Sequence, residues 1–251
     1  SWVFPLNNYT SIYYRENGYL KESMVNFLGL MGYNVGENEI LSLDEFIEGF
    51  DITKVSLGGP VFDLVKLGWV NNQHMRKKDL AELVELAKPF FLAKGYITEN
   101  STEKELEALT KVVEILREGA ITLKEIAELA DIYYVDSFEL DKVTEEMNKN
   151  ERKSVERLYH AIEDETGKKS IKLFIEKLNA ANEEITADEA KAMLHDTMEE
   201  IGEGPGKVLM PLRVVITGRG KGAELYNVIS IIGKTRTLKR INEMVAKYNI
   251  F

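Results

Sequence analysis

Apolar residues recur at helical spacing along most of the chain, and no stretch alternates apolar and polar residues with the period of a strand. The segment 64–70 is typical, because Leu64, Leu67 and Val70 lie three residues apart and define one face of a helix. The pattern therefore predicts an all-α fold. Helices are predicted at 9–15, 21–30, 43–48, 136–166, 170–181, 186–200, 207–217, 223–232 and 234–248, and also after Asp63, Asp79, Thr102 and Thr122.

Helix starts are marked by residues that can accept hydrogen bonds from the free N–H groups of a first turn. Asp63 stands at such an N-cap position, after a Gly-Gly-Pro loop at 58–60. Five other residues are followed three positions later by Glu, which is the spacing of a capping box: Ser42, Asp79, Thr102, Thr122 and Thr186. Gly167 and Gly233 are predicted to break helices, and 202–206 to form a linker.

The stretch 55–76 carries a candidate binding surface. Trp69 and Arg76 are seven residues apart, about two turns, so a continuous helix places both on one side. An aromatic ring and a guanidinium together can stack on bases or sugars and pair with phosphate. The alternative is that Trp69 belongs to the core and Arg76 is a solvated helix end, and these residues alone favour that alternative.

Composition narrows the class of protein. The chain has no cysteine, which excludes disulfides and thiolate metal sites and fits a reducing cytoplasm. No apolar run is long enough to span a membrane, and the first residues lack the basic region of a signal peptide. We therefore expect a cytoplasmic protein without a membrane partner.

Charge is distributed unevenly along the chain. Residues 207–251 hold nine Lys or Arg and two Glu, a net charge of +7. Residues 1–206 have a net charge of −17, so the whole chain has a net charge of −10. Such a basic segment can attract a nucleic acid, or it can dock on the acidic remainder. The charge pattern alone leaves both interpretations open.

Catalytic and metal-binding patterns are missing from the sequence. The run from Gly218 to Gly222, Gly-Arg-Gly-Lys-Gly, lacks the Gly-Lys-Ser/Thr ending of a phosphate loop and is predicted to be a basic turn. The three histidines, at 74, 160 and 195, lack metal-ligand spacing. We therefore predict no catalytic or metal residues, and a binding module or a part of a larger protein.

Several segments, taken together, resemble the C-terminal half of bacterial glutamyl-tRNA synthetases. They are 14–22 (YRENGYLKE), 26–28 (NFL), 41–46 (LSLDEF), 55–76, 122–125 (TLKE), 211–218 (PLRVVITG) and 231–234 (IIGK). The resemblance implies an elongated array of helical domains. It also implies a tRNA stem-contact domain at 1–78 and two anticodon-binding domains at 79–140 and 141–251.

The resemblance implies that this part does not catalyse alone. In that family an N-terminal class I core with an HIGH-like motif and a KLSKR-like loop glutamylates tRNA, using ATP and Mg²⁺. Residues 2–6 (WVFPL), where that loop should end, contain no Lys or Arg. We expect no cofactor in this fragment, tRNA(Glu) as its partner, a role in translation and a monomeric state.

Individual roles carry over only where residues match. Trp69 and Arg76 match positions that contact the tRNA between stem and anticodon, and Arg213 matches an arginine that reads an anticodon base. The loop 222–226 matches a segment that lines the same base pocket; its candidate contacts are Gly222, Leu225 and Tyr226.

One position departs from the family pattern. Members that discriminate against tRNA(Gln) carry an arginine just before Thr-Leu-Lys-Glu, where it reads the last anticodon base, and the matching residue here is Gly119. The hypothesis is a non-discriminating enzyme that charges both tRNA(Glu) and tRNA(Gln). The alternative role for Gly119 is a helix-terminating glycine. A different class of function also stays open, namely an all-α protein-interaction scaffold with a basic C-terminal docking region.

Overall fold

The structure, a computed structural model, describes residues 11–33, 36, 38–55, 58 and 61–251. It divides into two compact units, with the boundary between Asp131 and Ile132. The described residues form thirteen α-helices and no β-strand, and one isolated bridge joins Tyr33 and Val55. The predicted all-α class is therefore confirmed. The division into three domains at 78/79 and 140/141 stays a prediction.

The described residues of the first unit form seven α-helices of 6 to 14 residues. Its helices are α1 (Ser11–Glu16), α2 (Lys21–Gly32), α3 (Leu43–Glu48), α4 (Leu64–Lys77), α5 (Leu80–Ala93), α6 (Glu103–Leu116) and α7 (Leu123–Leu129), with a 3-10 turn at Ile52–Lys54. A further short helix, α8 (Asp131–Tyr134), spans the boundary between the units.

The second unit is built from five long helices. They are α9 (Lys149–Glu163), α10 (Glu165–Ala180), α11 (Ala187–Ile201), α12 (Pro205–Thr217) and α13 (Leu225–Tyr248). Gly233 has a φ of 75° inside α13, so the predicted split of the last helix at this glycine is confirmed. Within the described part of the chain, no helix combines the length and apolar character needed to cross a membrane.

Local capping sets most helix starts. Full capping boxes form at Ser42, Thr102 and Thr186, where the side chain and the Glu three residues later each accept a backbone N–H. At Asp79 the box is incomplete, because the structure shows only the bond from the Glu82 N–H. Thr122 caps α7, but Glu125 turns back to the N–H of Ile121 (2.7 Å).

Two predicted helix boundaries are wrong. Residues 136–147 are not helical, and α9 begins only after Asn148, which accepts the N–H groups of Asn150 and Glu151. Gly167 does not end a helix; it lies buried inside α10, which starts at the N-cap Asp164. A Cβ on Gly167 would lie 2.0 Å from the carbonyl oxygen of Ala161, so this glycine is needed for the close approach of α10 to the preceding chain.

The predicted linker at 202–206 is also shorter than expected. Helix α12 begins at Pro205, the first helical position, where a missing N–H removes no helical hydrogen bond. The left-handed Gly202 ends α11. Only three residues therefore separate the two helices.

The core of the first unit forms around α4. Leu67 and Val70 are fully buried against Tyr14, Phe27 and Ile40. The predicted apolar face of α4 begins one turn later than expected, since Leu64 is exposed. Burial of one side of α4 leaves its opposite side available for other contacts.

In the second unit, cations of α13 bind residues 132–139, which comprise the end of α8 and the non-helical chain after it. Arg240 is fully buried and donates to the carbonyl oxygens of Ile132 (2.7 Å), Val135 (2.6 Å) and Ile216 (3.3 Å). Burial lowers the pKa of Arg240 to about 10. Arg236 pairs with Asp136 through Nε (2.8 Å) and Nη2 (2.5 Å). Carbonyl groups that helix and turn geometry leave free are thus satisfied by guanidinium groups.

We predict that Arg240→Met lowers the free energy of unfolding by about 2–4 kcal/mol, because buried carbonyl groups lose their donors. Urea unfolding followed by circular dichroism measures the change. The control is Lys153→Met, an exposed lysine of α9, which should stay within about 0.5 kcal/mol of the parent protein. Equal effects of the two substitutions would contradict the role of Arg240.

Candidate nucleic-acid interface

Helix α4 presents Trp69 and Arg76 to solvent. Asp63 caps the helix as predicted, accepting the N–H groups of Val65 (2.8 Å) and Lys66 (3.1 Å). Trp69 is 43% exposed, and the Arg76 side chain is 45% exposed. The interpretation of Trp69 as a core residue is therefore wrong. Of the preceding Gly-Gly-Pro loop, residues 59 and 60 lie outside the described residues.

The same helix holds the loop between α6 and α7 through two asparagines. The buried Asn71 donates from Nδ2 to the carbonyl oxygen of Ile121 (2.6 Å). Asn72 Nδ2 donates to the carbonyl oxygens of Arg117 (3.0 Å) and Ala120 (2.7 Å). The loop that carries Gly119 is therefore fixed to the helix that carries Trp69 and Arg76. Sequence reasoning missed this contact, although two asparagines next to Val70 on the apolar side of α4 are its signal.

Arg76 and the neighbour of Gly119 are in direct contact. Arg76 Nη2 lies 2.7 Å from Oε2 of Glu118, whose side chain is 55% exposed. Three of the predicted site residues, Trp69, Arg76 and Gly119, thus belong to one region of the first unit. The ion pair was not predictable from the sequence, because its members are 42 positions apart.

The backbone conformation at position 119 does not require a glycine. Helix α6 ends at Leu116 with Arg117 in ordinary helical geometry, and Gly119 is not among the residues with positive φ. A Cβ built on Gly119 meets no atom within 4 Å. The end of α6 therefore does not explain this glycine, and the position has room for a side chain.

In the second unit, α12 brings Arg213 to the loop that follows it. Arg213 is half-buried, and its Nη1 donates to the carbonyl oxygen of Ala223 (2.7 Å). Burial lowers the pKa of Arg213, and the nearby Glu224 acts in the opposite direction. The guanidinium has further N–H donors on a rigid planar group, so it can bind a second acceptor while its position is fixed.

The predicted pocket loop contains residues in different environments. Gly222 has a φ of 137°, which L side chains rarely adopt, and it is exposed. Leu225 is buried in the core, whereas Tyr226 is half-buried, with the ammonium of Lys191 5.7 Å from its ring centroid. The structure therefore brings Arg213 next to the loop 222–226, with Tyr226 as its more accessible ring and Leu225 as a support.

Most cations of the basic segment are used within the second unit. Arg236 and Arg240 bind residues of this unit, as described above, and Lys247 pairs with Glu139 (2.7 Å). Lys234 donates to the carbonyl oxygens of Asn179, in the last turn of α10, and Ala181, directly after it. Of the two interpretations of the charge pattern, docking on acidic and carbonyl groups of the chain itself accounts for these residues. Lys221 is exposed in the loop between α12 and α13.

Among the described residues, one group has the spacing of metal ligands. The ligand atoms of His195, Asp196 and Glu199 lie within 4.8 Å of one another on α11. All three are exposed, and His195 Nδ1 is 3.8 Å from Glu199. The group can be explained by helical spacing alone, and we assign it no role.

The described residues thus define an all-α protein with two regions suited to contacts with phosphates and bases. Residues 82–245 match the family model of the anticodon binding domain. The chain therefore belongs to the anticodon-binding domain family.

Curated relatives and solved structures agree with this assignment. The chain is 58% identical over 247 residues to a glutamate–tRNA ligase of Fusobacterium nucleatum subsp. nucleatum, covering 97% of this chain and 48% of the relative. It is 38% identical to the glutamate–tRNA ligase of Carboxydothermus hydrogenoformans, covering 91% and 45%. The crystal structure of a glutamate tRNA ligase from Elizabethkingia meningosepticum, in complex with its amino acid, superposes with a TM-score of 0.73 at 26% identity, covering 93% of this chain and 42% of that one. The chain spans about half the length of the curated relatives it matches.

We predict that Gly119→Ala and Gly222→Ala differ in stability. Gly119→Ala should change the free energy of unfolding by less than about 0.5 kcal/mol, since it meets no neighbour and needs no unusual φ. Gly222→Ala should cost about 1–3 kcal/mol because of its positive φ. Urea titrations of the two variants in parallel measure the difference, and equal stabilities would contradict the assigned backbone roles.

Proposed function

We propose that this chain is the tRNA-binding, anticodon-recognising part of a glutamate–tRNA ligase. It positions tRNA(Glu) for ATP-dependent glutamylation by a catalytic core outside the chain. The observation that carries the proposal is the match of residues 82–245 to the anticodon binding domain, together with the guanidinium of Arg213 beside the loop 222–226. ATP and Mg²⁺ serve the rest of that ligase, and we assign them no residue of this chain.

The first unit supplies positioning contacts in this proposal. Trp69 stacks on a sugar or base, and Arg76 pairs with a phosphate, as the chemistry of an exposed ring and an exposed guanidinium favours. Neither contact distinguishes one base from another. Their role is to hold the tRNA in register between its stem and its anticodon, with 1–78 as the stem-contact domain.

The second unit supplies base recognition. Because Arg213 is held by Ala223 and partly desolvated, its remaining donors face a base with little loss of side-chain freedom. A bidentate contact of this kind discriminates between bases by about 1–3 kcal/mol. Gly222, Leu225 and Tyr226 form or support the wall of the same pocket, within anticodon-binding domains at 79–140 and 141–251.

Gly119 extends the proposal to specificity. The position that reads the last anticodon base in discriminating members has no side chain here, and the space around it is open. We therefore propose that the ligase is non-discriminating and uses both tRNA(Glu) and tRNA(Gln). In this proposal the ligase is a monomer that acts in translation in the cytoplasm.

The tRNA contact is tested by gel shifts of the chain with unmodified tRNA(Glu) and a non-cognate tRNA. Affinity should fall steeply with salt, because phosphate contacts release counterions. Arg213→Ala should weaken tRNA(Glu) binding by about 1–3 kcal/mol and reduce the preference over the non-cognate tRNA. Trp69→Ala should weaken the binding of both tRNAs by the same amount, about 1–3 kcal/mol.

Lys94→Ala is the control for charge, since it removes one cation from an exposed helix end. It should leave the preference between the two tRNAs unchanged. Absence of any tRNA shift at low salt would contradict the proposal and favour the protein-interaction scaffold.

The specificity proposal is tested at Gly119. The parent ligase should glutamylate tRNA(Glu) and tRNA(Gln) with comparable efficiency, and Gly119→Arg should suppress tRNA(Gln) by roughly 10-fold or more, as a bidentate base contact of about 1–3 kcal/mol allows. Gly119→Ala is the matched control and should charge both. A strong preference of the parent enzyme for tRNA(Glu) would contradict the proposal.

A further inference from the structure

Arg76 is already paired with a carboxylate in the RNA-free protein. Its Nη2 lies 2.7 Å from Oε2 of Glu118, and both side chains are about half exposed. A carboxylate and a phosphate each offer a guanidinium a pair of anionic acceptor oxygens, so the two groups can compete for the same N–H donors. Glu118 is therefore bound to the same guanidinium that is proposed to bind an RNA phosphate.

Two sources of negative potential lie close to Glu118 in the sequence. Glu118 lies two residues past the end of α6, where the free carbonyl groups of the helix create a negative potential. Glu114, another exposed carboxylate, lies four residues earlier. If a phosphate took Arg76, Glu118 would lose its ion pair and would face this potential and the phosphate.

The exchange of partners requires only a side-chain rotation. The backbone on both sides of Glu118 is fixed, because Asn72 binds the carbonyl oxygens of Arg117 and Ala120. The side chain of Glu118 is exposed and can turn into solvent. Gly119 stays in place during the exchange.

We propose that Glu118 is a specificity-determining residue that competes with RNA phosphates for Arg76. It weakens the binding of every polyanion that offers only charge, and it is displaced when a tRNA holds a phosphate at Arg76. Such a repulsive element raises selectivity by penalising wrong partners more than the right one. This proposal rests on the proposed tRNA contact of Arg76.

The test compares Glu118→Gln with Glu114→Gln. Both substitutions remove one negative charge in or near α6. Of these two glutamates, Glu118 is the one for which the structure shows an ion pair. The probes are unmodified tRNA(Glu) and poly(U), titrated over a range of salt concentrations. Circular dichroism confirms that each variant is folded.

Glu118→Gln should bind both RNAs more tightly than Glu114→Gln at low salt, by up to about fivefold, as the loss of one surface ion pair allows. The gain should be larger for poly(U) than for tRNA(Glu). For poly(U), the slope of log K against log salt should become steeper by about 0.7, the value for one additional phosphate contact on a single strand. For tRNA(Glu), which displaces Glu118 in the parent protein too, the slope should stay unchanged.

Arg76→Ala separates the pair from general electrostatics. In that background Glu118→Gln and Glu114→Gln should have equal effects. Equal effects with Arg76 present, or weaker binding by Glu118→Gln, would overturn the role of Glu118 while leaving tRNA recognition intact. If no variant binds either RNA, both this proposal and the proposed function are contradicted.

Discussion

The amide of Asn71 connects three segments of the first unit that are distant in sequence. It accepts the N–H of Leu20 (2.8 Å) at the start of α2 and donates to the carbonyl oxygen of Ile121 (2.6 Å) before α7. Because the group is fully buried, a missing partner would leave a desolvated polar atom, which costs about 1–3 kcal/mol. The exposed side of α4 and the loop of Gly119 keep their relative positions through this bond and those of Asn72.

Positive charge in the second unit serves the fold before it serves any ligand. Arg240 is placed where helix and turn carbonyls converge, and Arg236 neutralises Asp136 next to it. A net charge of +7 in residues 207–251 therefore overstates the charge available to a polyanion. What remains for recognition is a small number of oriented groups such as Arg213, which suits a reader of bases more than a general electrostatic surface.

Features that depend on neighbours in sequence were predictable, and features that depend on distant contacts were not. Asp63 and Thr102 cap their helices as the sequence indicates, since a cap needs only the next three residues. The segment 136–147 has helical spacing but is not helical, and contacts from distant residues hold its start, where Arg236 pairs with Asp136 and Lys247 with Glu139. Likewise, the residues of the candidate site were identifiable one by one, whereas the contact of Arg76 with Glu118 is a property of the folded chain.

The open space at Gly119 has an evolutionary consequence. Most positions that touch a ligand are also packed, so a change there must be accompanied by changes in neighbours. At Gly119 no neighbour lies within reach of a Cβ and no special backbone angle is needed. A side chain can therefore be gained or lost here in one substitution with little cost to the fold, so the contact proposed at this loop can differ between lineages without changes elsewhere.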